Sequence, residues 1–163
     1  MKKLSILLVA LVMFSCKSKA QEEEKSSKEI AKSEFSVNKT EAEWQAELSS
    51  EEFNVLRKEG TEAPFSSELL ENKKEGIYVC AGCGTPVFKS EHKFDSGTGW
   101  PSFDREIDGN VAFSEDTRIG YTRTEEHCAT CGGHLGHVFN DGPSETTGKR
   151  HCINGAALNF KPE

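Results

Sequence analysis

Five of the six cysteines in this 163-residue chain form one pattern: Cys80-x-x-Cys83, Cys128-x-x-Cys131, and a solitary Cys152. Two CxxC knuckles supplied from separated stretches restrict the chain to folds in which both turns meet around one centre. A glycine follows each pair, Gly84 and Gly132, freeing the backbone to turn its amides toward the sulfurs. Three chemistries use such pairs: a tetrahedral four-thiolate zinc site, two disulfides, or a redox-active CxxC. Paired knuckles with trailing glycines favour zinc. His127 adjoins Cys128, but four cysteines already fill a tetrahedron, so it is expected at the surface.

Cys152 is then the spare thiol, within Arg150-His151-Cys152-Ile153-Asn154. In a strand Arg150 would share its face, and a guanidinium there favours thiolate. His134 and His137 stand three apart in a glycine-flanked segment, where one could give a proton to a leaving oxygen while the other orients water or polarises the pair. A buried structural cysteine with two unrelated histidines fits the spacing equally well. Trp100, ahead of Pro101, is biased to extended backbone; it is either a core ring or an apolar wall for a methyl-bearing ligand.

The N-terminus follows other rules. Lys2 and Lys3 precede an apolar run at 4–14 and then Ser15-Cys16. The run is short for a membrane span and suits a secretory signal of lipoprotein type over 1–15, with Cys16 lipidated; an ordinary signal or an uncleaved anchor are the alternatives. Residues 16–38, rich in Lys, Glu and Ser, form a solvated tether, and 39–163 form one domain. The formal charge of −7 becomes −9 without Lys2 and Lys3, and no basic patch supports nucleic-acid binding. The expected placement is exported and membrane-anchored, facing the periplasm or the cell surface, as a monomer.

Within the domain, Thr40-x-x-Glu43 and Ser49-x-x-Glu52 are capping boxes for two short helices, the second stopping near Gly60. After Pro64 the texture changes to short runs between glycines: Ile77–Val79, Pro86–Phe88, Val111–Phe113, Ile119–Arg123, and Cys152–Phe160. The fold class expected is mainly β, two sheets behind short N-terminal helices, stapled by the four-cysteine site.

Taken together, Cys80-Ala-Gly-Cys83, Phe94-Asp-Ser-Gly-Thr-Gly-Trp-Pro-Ser-Phe103, Arg123-Thr-Glu125, Cys128-x-x-Cys131-Gly-Gly-His134-Leu-Gly-His137-Val-Phe139, Asp141-Gly-Pro143 and Arg150-His-Cys152-Ile-Asn154 resemble the B-type methionine sulfoxide reductases. The resemblance runs from about Lys39 to Phe160. It implies two antiparallel sheets, a structural zinc on Cys80, Cys83, Cys128 and Cys131, and reduction of the R epimer of methionine sulfoxide in proteins or peptides. It assigns Cys152 as nucleophile supported by Arg150. His134, His137 and Asp141 become the polar side that binds and protonates the oxygen, and Trp100, Phe139 and Asn154 become substrate-binding residues. Attack leaves a sulfenic acid on Cys152.

Two positions depart from that pattern. Many relatives carry a resolving cysteine where this chain has Thr98, so an external reductant, a thioredoxin-like protein or a small thiol, must restore Cys152. The Ser144–Lys149 loop also lacks a proline common before Thr-Gly in relatives. A zinc-stabilised binding module that lost turnover, and a Cys-His hydrolase, are the readings from other classes. The intact Cys152, His134, His137, Asp141 and Trp100 oppose the first, and no acyl-transfer motif supports the second.

Overall fold

The computed structural model describes residues 35–163; the signal segment, Cys16 and residues 16–34 of the tether lie outside the described residues. The chain is already attached at its first described residues. Val37 N–H donates to Thr130 O at 2.9 Å, and the Phe35 ring meets His127 edge-on at 5.8 Å.

Both helices begin as their capping boxes dictate. In α1, Glu41–Glu47, and α2, Ser50–Lys58, the hydroxyls of Thr40 and Ser49 accept from the third backbone N–H, and Glu43 and Glu52 accept from Thr40 N and Ser49 N at 2.6 and 2.7 Å. The left-handed residue that ends α2 is Glu59, φ 55°, one position before the glycine expected to do so. Gly60 serves by absence of bulk: a Cβ there would lie 2.2 Å from the Asn54 amide. The buried Trp44, Val55 and Leu56 bind the helices to the body.

Among the described residues nine strands follow: β1 Gly76–Cys80, β2 Pro86–Lys89, β3 Lys93–Phe94, β4 Ser102–Phe103, β5 Val111–Asp116, β6 Arg123–Cys128, β7 His134–Phe139, β8 Arg150–Ile153 and β9 Leu158–Pro162. They form two antiparallel sheets, β2-β1-β9 and β3-β4-β8-β7-β6-β5. The fold class expected from the sequence is therefore the one observed. One expected strand is not: the run from Ile119 belongs to the β5–β6 turn, and β6 starts only at Arg123. The Asp116 carboxylate takes the Arg118 N–H at 2.9 Å and Gly120 sits at φ 88°, which closes the turn. Aromatic rings fill the core: Phe103 stacks on Phe88 at 4.4 Å and meets Tyr78 at 5.0 Å.

The long sheet has two different faces. Strand alternation sends Arg150 and Cys152 to one side of β8 and His151 and Ile153 to the other. On the second side His151 Nδ1 lies 2.5 Å from Glu126 Oε1 and 3.3 Å separates its Nε2 from Glu106. Glu126 is fully buried and His151 nearly so.

Candidate active site and metal centre

The two knuckles are built alike. Gly84 and Gly132 hold φ 75° and 67°, and their N–H groups donate to Cys80 O and Cys128 O, both at 2.8 Å. Cys80 N and Cys128 N then bond the carbonyls of Thr85 and Gly133 five residues on. The four sulfurs lie within 4.8 Å of one another, with Cys80 and Cys131 3.7 Å apart and Cys83 and Cys128 3.5 Å apart. A tetrahedron with metal–sulfur bonds of about 2.3 Å has an edge of about 3.8 Å, whereas a disulfide needs about 2.0 Å. All four are free thiols. The spacing fits one metal ion and neither disulfide.

The nucleophile candidate sits on a row running across the long sheet. Register pairs Ser102 of β4 with Cys152, Cys152 with His137, His137 with Glu125, and Glu125 with Ser114. Five polar residues from five adjacent strands thus share one face. In a regular strand His134 and His137 would point opposite ways. A bulge at Leu135, where the consecutive Glu126 and His127 pair with Gly136 and His134, puts both on one face, with their rings at a centroid separation of 5.3 Å.

Each histidine has its own carboxylate. His134 Nδ1 is 2.7 Å from Glu125 Oε1, and His137 Nε2 is 2.8 Å from Asp116 Oδ2. The Arg118 backbone and guanidinium, with His137 and Arg123, hold the Asp116 carboxyl far below the usual range. His134 and then Ser114 bring Glu125 to about 2, despite burial. An ionised carboxylate only accepts, so the facing ring nitrogen carries the hydrogen and the other nitrogen is the one left for chemistry. His134 Nε2 is buried and has no partner. Burial lowers the His137 pKa although Asp116 opposes it, so that ring rests neutral at neutral pH.

Asp141 lies elsewhere. It is an exposed residue that grips Arg150 with both oxygens, at 2.9 Å each, and the guanidinium sits 4.6 Å over the Phe139 ring. Phe139 and Asp141 therefore meet at Arg150, which register places directly opposite Phe139. A Cβ at Gly142 would strike Lys149 O at 1.9 Å, so that turn presses directly on the segment leading into Arg150. The Ser144–Lys149 loop is pinned by the Thr147 hydroxyl donating to Asp104 O. Around Cys152 itself burial is the strongest influence and pushes its thiol up. Arg150 and the Thr98 hydroxyl partly offset that. Thr98 also belongs to a hydroxyl chain, 2.8 Å to Ser96 Oγ and a further 2.8 Å to Ser102 Oγ.

Trp100 is half-buried, and its Nε1 donates to Glu62 O at 3.3 Å. Beside it, Phe65 N–H donates to Gly99 O at 2.8 Å, and the exposed Phe65 ring would meet any Cβ at Gly99 at 2.9 Å. Asn154 is buried with both amide atoms spent: Nδ2 donates to Leu135 O and Oδ1 accepts from Glu62 N, both at 3.0 Å. It ties the segment that carries Glu62 to β7 at Leu135.

Asp116, Glu125 and Glu62 were not singled out by the sequence as site residues. Glu125 had a usable signal, two residues after Arg123 in a strand and hence on one face with it. Asp116 had none, because its meeting with His137 depends on the three-strand register. Glu62 reaches the site from 92 positions before Asn154.

A family model described as the SelR domain matches residues 48–162. Curated relatives include the peptide methionine sulfoxide reductase MsrB of Leifsonia xyli, 49% identical over 83% of this chain and 98% of that protein. The MsrB of Methanosarcina barkeri is 53% identical over 78% and 89%, and that of Leptospira interrogans 49% identical over 79% and 98%.

Proposed function

The chain belongs to the B-type methionine sulfoxide reductase family, and from that premise we propose that it reduces the R epimer of peptide-bound methionine sulfoxide at Cys152. The observation that carries this reading is the register of β8 with β7, which sets Cys152 opposite a histidine held by a buried carboxylate.

The Cys152 thiolate attacks the sulfoxide sulfur. The thiol's proton passes to the neutral His137 ring, or to His134, and the imidazolium so formed, stabilised by Asp116 or Glu125, delivers it to the oxygen. The oxygen ends on Cys152 as sulfenic acid; the substrate sulfur gains two electrons, the cysteine sulfur loses two, and methionine leaves. Two external thiols then return Cys152 to its thiol, yielding their disulfide and water. Thr98 in place of a resolving cysteine supports direct reduction from outside, by a thioredoxin-like protein or small thiol. Trp100, on the rim with Phe65, supplies an apolar wall for the methyl group.

Zinc fits the four-thiolate cage, since four sulfurs leave no open position, and its role is to hold both knuckles and the helices packed on them. The apolar leader and Ser15-Cys16 support export and a lipid anchor at Cys16.

A stereo-resolved assay on a peptide sulfoxide tests the activity. Wild type consumes the R epimer alone, and Cys152→Ser loses turnover with zinc and fold retained. Consumption of the S epimer, or activity in Cys152→Ser, overturns the reading. Elemental analysis is expected to return one zinc per chain, and Cys83→Ser to unfold the domain or lower its melting temperature sharply.

A further inference from the structure

Glu62 is buried, 6% exposed, and among the described residues it is the buried carboxylate with no cation or histidine beside it. Burying an unpaired charge is costly, and the chain had the neutral alternative of a serine or asparagine at such a turn. What Glu62 holds accounts for the charge. Its two carboxylate oxygens accept from Gly155 N and Ala156 N at 2.7 Å each, in the 3-10 turn Gly155–Ala157 that follows β8. Its own N–H donates to Asn154 Oδ1 at 3.0 Å, and its carbonyl accepts from Trp100 Nε1 at 3.3 Å. Every polar group of this residue is used, and every one is used on a segment adjoining the site.

The turn it grips has no slack. A Cβ at Gly155 would lie 1.9 Å from Ser67 Oγ. Asn154 N and Nδ2 both donate to Leu135 O, at 2.9 and 3.0 Å, tying the same turn to β7 beside His134. On the other side, Phe65 N–H to Gly99 O joins the segment carrying Glu62 to the one carrying Trp100. One residue therefore bridges the apolar wall, the end of the nucleophile strand and, through Asn154, the histidine strand.

We propose that Glu62 is a positioning residue for substrate binding, fixing the Trp100 indole relative to the strand that carries Cys152. This rests on the reading of Trp100 as the methyl wall. A neutral amide cannot replace the carboxylate, since its NH2 group would face one of the two backbone N–H donors and orphan it. The turn must then shift, and the indole that shares its anchor shifts with it.

The test compares Glu62→Gln with wild type in full-length, zinc-loaded protein. KM for the R-sulfoxide peptide is expected to rise roughly tenfold with kcat within about threefold, because the wall is misplaced while the nucleophile and acids remain. In a Trp100→Phe background, where the indole donor is gone, the same substitution is expected to change KM less than about twofold. Emission from Trp100, isolated by Trp44→Phe, is expected to shift to the red in Glu62→Gln; this needs no turnover, so it stands apart from the fate of the proposed activity. Glu62→Asp, which keeps the charge but shortens its reach, is expected to give the same signature. A fall in kcat at unchanged KM, full additivity with Trp100→Phe, or unshifted emission overturns the role. Failure of both Glu62 variants to fold also overturns it, leaving Glu62 as a residue of stability alone.

Discussion

The two faces of the long sheet carry the same pair of chemical groups and put them to different uses. On the front, His137 meets Asp116 and His134 meets Glu125, on the row that contains Cys152. On the back, His151 meets Glu126 at 2.5 Å, sealed under the Phe88 ring, whose centroid is 5.9 Å away. A histidine held by a carboxylate is therefore no mark of a catalytic site. Under the proposed function it is Cys152 on the shared face that makes the front pairs chemical, whereas the back pair is enclosed in the core.

The largest expected effect separates those roles directly. His137→Ala is expected to slow single-turnover sulfoxide reduction by roughly 10²-fold, the usual yield of a positioned acid, with little change in melting temperature. Glu126→Ala leaves His151 Nδ1 without its partner in the core and is expected to cost about 3 kcal/mol, a fall on the order of 10 °C, with turnover per folded molecule near wild type. Rates and melting curves on both variants check this. A His137→Ala enzyme at full speed moves the proton source to His134, and a slow but stable Glu126→Ala would erase the distinction between the faces.

The sequence disclosed these faces unequally. Knuckle spacing, both capping boxes and the class of fold were legible because each is written in residues close together in the chain. Cys152 stood out by elimination, and Arg150 was placed on its face by strand alternation alone. The carboxylates behind the histidines were hidden, since Asp116 reaches His137 only through a register that local pattern does not encode. His134 and His137 share a face because of the bulge at Leu135 between them, which no spacing rule predicts. Asp141 was grouped with the histidines by resemblance, and in the fold it pairs with Arg150.

A smaller effect distinguishes the faces by pH. Glu125 has a folded pKa of about 2 against an ordinary 4.5, so its contribution is present above pH 4.5 and is lost as pH falls toward 2. Burial raises Glu126, so its contribution has the opposite sign, present below 4.5 and lost as pH rises through its folded value. Denaturant midpoints at pH 6 and pH 3 are expected to converge in Glu125→Gln and to separate further in Glu126→Gln. Parallel behaviour of the two variants would show that the faces titrate alike.

The smallest effect concerns Thr98, where the front face lacks a second thiol and offers a hydroxyl to Cys152 instead. Thr98→Val keeps the shape and removes that hydrogen bond together with the link to Ser96. The hydroxyl favours the charged sulfur, so its loss raises the thiol pKa further and lowers the thiolate fraction. The remaining thiolate is more basic and intrinsically more nucleophilic. Alkylation of Cys152 by iodoacetamide at pH 8, followed by mass spectrometry, is therefore expected to slow by a few-fold at most, with the pH profile displaced upward. An unchanged profile would mean that Arg150 alone offsets burial at this sulfur and that the hydroxyl chain serves the loop, not the nucleophile.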